Sequence, residues 1–246
     1  MKFLYAVFRF YKNYRKVYRV NLKNNALKER WKNKLHKPLL EKVFNVSGLD
    51  RCDINYINLK HREDRRSEIC SELERLGVTD FTRFNAFAES NGALGCSKSH
   101  AMLLQEANIT QDQLYMICED DCEFLVEREF IDSIIDEFFY NPNLDVLCLG
   151  YNATTGMPVS NNLMITSDTL TTSCYLVKSH AVSVLLDSAL KSINFLSQGK
   201  NVQDFAIDVV WKEAQKNIFF ARQKLRIVKQ RASHSDIEGQ FQDIGV

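Results

Sequence analysis

The chain has 246 residues, enough for one large folded domain and an additional short segment. Its formal net charge is only +1, but residues 1–42 contain 13 Lys and Arg against 2 Glu, and residues 43–246 contain 19 against 29 Asp and Glu. A basic segment therefore precedes an acidic domain. The seven irregularly spaced cysteines predict reduced thiols in a cytoplasmic protein, which excludes a disulfide framework.

The basic segment predicts an amphipathic helix. Apolar and aromatic residues recur at helical spacing at Phe3, Val7, Phe10, Tyr14 and Val17, while cations fill much of the remaining circumference. Such a helix can lie on an anionic membrane, and residues 1–42 would then hold the protein peripherally at the inner face. Alternatively, the apolar stripe packs on the protein's own body or a partner helix. Binding of the basic residues to nucleic acid is a further alternative, but no nucleic-acid motif supports it, and we expect no such partner. We also expect neither a membrane-spanning helix nor a signal peptide.

Breaks at Pro38 and at Ser47-Gly48 divide the chain into an arm, 1–46, and a catalytic domain, 47–246. Within the domain, apolar periodicity predicts alternating strands and helices. The predicted strands are 53–59, 81–87, 114–118, 145–149, 171–177, 218–221 and 226–228, and the predicted helices are 65–76, 97–106, 130–139, 179–190 and 203–215. This alternation is typical of an α/β domain with a mainly parallel central sheet flanked by helices.

The most informative motif is the acidic triplet Glu119-Asp120-Asp121, which directly follows the apolar strand 114–118. Because open α/β sheets bind ligands at the carboxyl ends of their strands, we expect these acids at the mouth of a binding site. Adjacent carboxylates repel one another and are best tolerated when a hard divalent cation neutralises them. The alternative is a solvated acidic turn.

Three segments together resemble glycosyltransferase family 25, which includes bacterial lipo-oligosaccharide glycosyltransferases and the collagen galactosyltransferases. The hallmarks of that family are a strand ending in Asn-Leu before an Arg-rich turn, a Gly-Cys-x-x-Ser-His stretch and a Glu-Asp-Asp triplet. Their counterparts here are residues 57–66, 92–100 and 117–121. The resemblance covers roughly residues 54 to 240, implies a GT-A-like fold and leaves the basic arm unexplained.

The resemblance also implies a pocket for a nucleotide-sugar donor. Guanidinium groups recognise phosphate through paired donors, asparagine can bond a base or ribose, and glycine allows close backbone approach. The expected donor-binding residues are Asn58, Arg62, Arg65, Gly95, Ser99, His100, Glu119 and Asp120. Alternatively, the arginines cap the next helix and His100 is structural. We expect Ser97 to cap the helix that follows it and Cys96 to be a packed thiol.

By the same resemblance, Asp121 with Asp120 or Glu119 would hold Mn²⁺ or Mg²⁺ against the donor diphosphate. The polar segment that starts with Gln230-Arg231 and continues over 233–239 resembles the C-terminal signature of some members, so His234 or Asp236 would complete the metal site. A solvated tail is the alternative.

The candidate catalytic base is Asp208 or Asp204. They are four residues apart in the predicted helix 203–215, so we expect both to share a helix face and point into the cleft. We favour Asp208 as the base that deprotonates the acceptor hydroxyl; an ordinary exposed carboxylate is the alternative.

The resulting expectation is a metal-dependent, inverting glycosyltransferase. It would move a hexose to a glycan or glycolipid acceptor such as lipo-oligosaccharide. The resemblance implies that the hexose is galactose and that the donor is UDP-galactose. A nucleotide-sugar hydrolase, or another phosphate-handling enzyme, would turn over the donor without an acceptor. A non-catalytic, membrane-associated nucleotide- or carbohydrate-binding protein would bind UDP and turn over nothing.

Overall fold

The computed structural model describes residues 2–34, 36–38, 46–234 and 241–242, with the side chains of 12–13, 15–34, 36–38 and 46–232. The helices are α1 (Lys2–Asn33), α2 (Glu63–Arg75), α3 (Gly92–Glu106), α4 (Arg128–Phe139), α5 (Val182–Ser197), α6 (Val202–Phe205) and α7 (Ile207–Val210). The strands are β1 (Cys52–Asn58), β2 (Thr82–Asn85), β3 (Leu114–Glu119), β4 (Cys122–Phe124), β5 (Val146–Cys148), β6 (Met157–Pro158), β7 (Leu163–Thr166), β8 (Cys174–Lys178), β9 (Phe220–Gln223), β10 (Val228–Gln230), β11 (Ser233–His234) and β12 (Phe241–Gln242).

The described strands form a central eight-stranded sheet in the order β2-β1-β3-β8-β5-β9-β7-β6. β1 pairs in parallel with β2 and β3, and β5 pairs in parallel with β9. β8 runs antiparallel between β3 and β5, and β7 runs antiparallel between β9 and β6. Six of these eight strands therefore point the same way, which confirms the predicted α/β class with a mostly parallel sheet and adds two reversed strands.

Helices cover both faces of this sheet, because side chains of its buried strands alternate between two cores. On β3, Met116 and Cys118 pack into the core that includes α2 and α4. Tyr115 and Ile117 face the opposite core, which includes α3 and α5. β3 is thus held from both sides, and its carboxyl end is a fixed platform for the acids that follow it.

The carboxyl-terminal part of α1 packs on this body. Leu27 is 3% exposed, and the ring of Trp31 meets that of Phe219 edge-on at a centroid distance of 5.0 Å. Arg30 donates hydrogen bonds to the carbonyl oxygens of Gln215 and Ile218. The carboxyl-terminal end of α1 is therefore part of the folded body. None of the described helices has an apolar stretch long enough to cross a bilayer.

The predicted start of the helix 97–106 is wrong. α3 begins at Gly92, five residues before the predicted start, because the side chain of Asn91 caps it by accepting a bond from the Leu94 amide at 3.3 Å. Ser97 therefore does not cap the helix; it is buried inside it and bonds Ser192 Oγ at 2.8 Å.

The predicted helix 203–215 is broken. Ala206 is extended, with φ −55° and ψ 149°, so the chain forms the short helices α6 and α7 with a turn between them. The hydroxyl of Ser192 donates to the carbonyl oxygen of Phe205 at 2.6 Å, where a continuous helix would bring the Val209 amide. The expectation that Asp204 and Asp208 share a helix face is consequently wrong.

The β6–β7 hairpin lies between the predicted strands 145–149 and 171–177, where the sequence analysis predicts neither a strand nor a helix. Gly156 and Pro158 are typical loop residues, yet Pro158 lies on the outermost strand of the sheet, β6, where a missing amide is tolerated. β7 joins the sheet through β9.

Candidate active site

A cavity of about 490 Å³ lies at the carboxyl ends of β1 and β3. Its walls are formed by the amino-terminal turns of α3 and by the turn between α6 and α7. The residues that precede β8 form the remaining wall. Because β8 runs antiparallel to β3, it begins at the edge where β3 ends, and Cys174 pairs with Cys118. This reversal brings Thr171 and Thr172 beside the acidic triplet.

The members of the acidic triplet point to different partners. Asp120 accepts bonds from Asn58 Nδ2 at 2.7 Å and from Arg65 Nη1 at 3.1 Å. The same Arg65 nitrogen lies 3.5 Å from Asp121 Oδ2. Asp121 Oδ1 is buried and has no hydrogen-bond partner among the described residues. One guanidinium thus offsets part of the charge of two carboxylates, and one carboxylate oxygen is left for a ligand.

The protonation of the triplet reflects burial and mutual repulsion. Burial, reinforced by the charge of Glu119, raises the pKa of Asp121 to about 7, although Arg65 opposes this shift. Burial also raises the pKa of Asp120. Burial acts in the same direction on Glu119, but its bonds to His100 and Thr172 outweigh burial and hold the pKa of Glu119 below its ordinary value. Positive charge placed near Asp121 would favour its ionised form.

Glu119 belongs to a second group of side chains on the α3 side of the cavity. Its Oε1 accepts a bond from Thr172 Oγ1 at 2.7 Å and lies 3.4 Å from His100 Nε2. His100 is fully buried, and its Nδ1 lies 3.1 Å from the hydroxyl of Tyr175. Cys96, one helical turn before His100, also lines the cavity.

Asp208 and Asp204 occupy different environments. Asp208 lines the cavity, and its Oδ2 accepts a bond from the Thr171 amide at 3.1 Å. Burial first, and then the charge of Glu119, raise the pKa of Asp208. Asp204 is exposed on the surface outside the cavity and faces Asn201 Nδ2 at 3.4 Å. The position of Asp208 in the cavity is consistent with a catalytic base near a bound acceptor. The role of catalytic base stays a prediction for Asp208 and for Asp204.

Most residues expected to bind a donor line the cavity. Those on its wall are Asn58, Arg65, Ser99, His100, Glu119 and Asp120. Arg62 is not on the wall; its guanidinium pairs with the exposed Asp64 at 2.9 Å, and its carbonyl oxygen accepts a bond from Asn58 Nδ2 at 3.0 Å. Arg62 therefore orients Asn58 through its backbone.

Gly95 and Ser99 shape the wall formed by the segment that follows β2. A Cβ on Gly95 would lie 2.3 Å from the carbonyl oxygen of Phe87, so only glycine permits α3 to approach this segment so closely. Ser99 Oγ accepts a bond from the Phe87 amide at 3.0 Å. Both residues hold the wall in place, and Ser99 also borders the cavity.

His234 and Asp236 are the expected additional metal ligands. The backbone of His234 pairs with Phe241 in the β11–β12 ladder, but its side chain lies outside the described residues, as does the whole of Asp236.

Several residues of the cavity have no predicted binding role in the sequence analysis. Thr171, Thr172, Gln230 and Arg231 line it. Thr171 has a φ of 77°, a value that threonine rarely adopts, so the surrounding structure imposes this backbone conformation. The sequence Leu170-Thr171-Thr172-Ser173 does not by itself indicate a place in the cavity. The antiparallel direction of β8 decides where these residues lie.

No protein-family model matches the sequence, and no curated protein matches it. Among solved structures, the chain is similar to a glycosyltransferase involved in the glycosylation of the major capsid of PBCV-1. The TM-score is 0.39 and the identity 11%, over 69% of this chain and 91% of that one. Similarity at this level identifies neither a family nor a substrate.

Proposed function

We propose that the protein is a glycosyltransferase that transfers a hexose from a nucleotide sugar to a hydroxyl group of a glycan or glycolipid. One observation carries the proposal: the three segments that resemble family 25 contribute to a single cavity, although they lie far apart in the sequence. Phosphate-binding chemistry at Arg65, an acidic triplet and the half-buried carboxylate of Asp208 meet there. This combination suits transfer between a diphosphate leaving group and a hydroxyl.

In the proposed reaction, the acceptor hydroxyl attacks the anomeric carbon of the donor as the bond to the diphosphate breaks. Asp208 takes the hydroxyl proton on its carboxylate, and its raised pKa makes it a stronger base once ionised. The Thr171 amide holds the Asp208 side chain through Oδ2. Arg65 offsets negative charge on the departing diphosphate. A single displacement of this kind inverts the anomeric configuration.

The residues of the triplet suit a hard divalent cation. Asp121 would hold Mn²⁺ or Mg²⁺, since its Oδ1 is buried without a partner among the described residues, and Asp120 would support it. When bound, such an ion supplies positive charge that neutralises the diphosphate. Arg65 already offsets part of the carboxylate charge, so the triplet remains compact without the ion.

The proposal extends to the donor and the acceptor. UDP-galactose as donor and a lipid-linked glycan such as lipo-oligosaccharide as acceptor rest on the resemblance to family 25. The arm supports a lipid acceptor, because Val17, Tyr18 and Leu22 are at least half exposed on α1. Lys12, Lys16 and Arg19 line a basic groove on the same helix. These side chains suit the headgroup region of an anionic membrane.

Mass-spectrometric screening tests the proposed function directly. Purified protein with Mn²⁺ is incubated with a panel of nucleotide sugars and crude glycolipid acceptors, beside Asp121→Asn as the matched control. A mass gain of one hexose on an acceptor, present for wild type and lost in the variant, supports the transferase. Donor turnover that needs no acceptor would point to the hydrolase. UDP binding without any turnover would point to a non-catalytic binding protein.

A further inference from the structure

Three side chains on the α3 side of the cavity bring together sulfur, nitrogen and oxygen donors. The thiol of Cys96, a ring nitrogen of His100 and a carboxylate oxygen of Glu119 all lie within 4.8 Å of one another. Cys96 and His100 are one turn apart on α3 and share a face, and Glu119 reaches them from the end of β3. Rigid elements therefore supply all three donors.

The mixed character of these donors selects for a particular class of cation. Mg²⁺ and Mn²⁺ favour oxygen ligands, whereas Zn²⁺ accepts thiolate, imidazole and carboxylate together. Around a tetrahedral Zn²⁺, ligand atoms lie about 3.3 to 3.8 Å apart, so side-chain adjustments of about 1 Å would close this site. Asp120 and Asp121 offer oxygen alone, so the two groups differ in the ions they favour.

The partners of these ligands resemble the outer contacts of metal sites. With Nε2 toward an ion, His100 Nδ1 would donate its proton to the Tyr175 hydroxyl, which lies 3.1 Å away. Thr172 Oγ1 fixes Glu119 Oε1 at 2.7 Å. Contacts of this kind fix the imidazole tautomer and orient carboxylate ligands. Nearby Asp208 adds negative charge that attracts a cation.

We propose that Cys96, His100 and Glu119 form a binding site for a thiophilic divalent cation of the Zn²⁺ type. Because these three residues line the cavity, the fourth coordination position would face the cavity and accept water or an anionic oxygen. Binding replaces the proton of the Cys96 thiol with the metal ion and releases that proton to solvent, without any change in oxidation state. The site goes beyond the proposed transferase activity and does not depend on it.

Cobalt titration tests the site without any nucleotide or sugar. The full chain, first stripped with chelator, is titrated with Co²⁺, whose bond to a thiolate gives a near-ultraviolet charge-transfer band. Wild type should show the band with one equivalent of ion, and Zn²⁺ should displace it. Cys96→Ser should abolish the band, whereas Cys70→Ser, at a half-buried cysteine of α2 outside the cavity, should retain it.

Two further variants separate this site from its surroundings. Asp121→Asn should leave the band unchanged, because that residue is not among the three ligands; its loss of UDP binding would be a separate result. Tyr175→Phe should weaken Co²⁺ affinity about tenfold, which is the lower end of the effect of removing an outer contact of a metal ligand.

A wild-type chain without the band, or a band that survives Cys96→Ser, would overturn the proposal. Should Cys96→Ser fail to fold by circular dichroism, Glu119→Gln decides: a tenfold weaker affinity supports the site and an unchanged affinity overturns it.

Discussion

The backbone amide of Thr171 donates a hydrogen bond to Asp208 Oδ2 at 3.1 Å, from a residue whose φ is 77°. The two residues are 37 positions apart in the sequence, and the bond connects the residues before β8 to α7. Strained backbone conformations cluster at functional sites, and here the strained residue holds the half-buried carboxylate of Asp208. We therefore propose Asp208, rather than Asp204, as the base of the reaction.

Replacing Asp208 by Asn tests this assignment. The amide oxygen of Asn can still accept the Thr171 bond but cannot take a proton, so we expect transfer to fall by roughly 10²-fold or more with UDP affinity nearly unchanged. Asp204→Asn, at the exposed residue, is the matched control and should transfer at the wild-type rate. Steady-state kinetics and calorimetry distinguish the two variants. A mild effect at Asp208 with a severe one at Asp204 would contradict the assignment.

Arg65 is expected to matter more than Arg62. Arg65→Met removes the charge beside Asp120 and Asp121, so UDP affinity should fall roughly 10-fold to 100-fold, the scale of a lost charged hydrogen bond. Arg62→Met should change UDP affinity much less, because the Arg62 guanidinium pairs with exposed Asp64 and its carbonyl oxygen is retained. Equal losses in both variants, measured by calorimetry, would show that Arg65 has no special role.

The sequence predicted the platform of the site better than its walls. The apolar run 114–118 correctly predicts the strand β3, and the acids after it correctly predict the edge of the sheet at which the cavity lies. A buried strand ends where charged residues follow it in the sequence. The start of α3 differs from the prediction because Asn91 caps the helix before a segment that contains two glycines, which disfavour a helix in the sequence pattern. The contacts of Thr171 and Thr172 required the direction of β8, which depends on long-range pairing and has no local pattern.

The same contrast applies to Asp204 and Asp208. Their spacing suggested one helix face, but the hydroxyl of Ser192, from a different helix, bonds the Phe205 carbonyl at the break. Tertiary contacts of this kind override helical periodicity and cannot be read from the segment itself.

Membrane attachment is expected to depend on the amino-terminal part of α1. Deleting residues 2–22 removes the exposed apolar side chains and retains Leu27, Arg30 and Trp31, which pack on the body. The truncated protein should remain folded and lose sedimentation with anionic liposomes. In the full chain, changing Lys12, Lys16 and Arg19 to Gln should weaken liposome binding roughly 100-fold, at about 1 kcal/mol per cation. Unchanged sedimentation of the truncated protein would rule out this role for α1.

Lys178 should make the stability of the fold depend on pH. Burial lowers the pKa of Lys178 to about 7, although the charge of Asp145 opposes the shift. An unfolded lysine titrates near 10.4, so between about pH 7 and pH 10 the unfolded state binds more protons and the free energy of unfolding rises with pH. Lys178→Met should flatten this rise in urea unfolding, whereas Lys191→Met, at an exposed lysine, should not. Parallel profiles for wild type and Lys178→Met would contradict the effect.

Calorimetric titration of UDP tests the central claim most directly, namely that the cavity binds a nucleoside diphosphate through the acidic triplet and a hard cation. Wild type and Asp121→Asn are each titrated with UDP, once with Mn²⁺ and once with excess chelator. We expect wild type to bind UDP more tightly with Mn²⁺, and Asp121→Asn to lose this enhancement while remaining folded. UDP binding by wild type that is equal in Mn²⁺ and in chelator, with transfer also insensitive to chelator, would contradict the account.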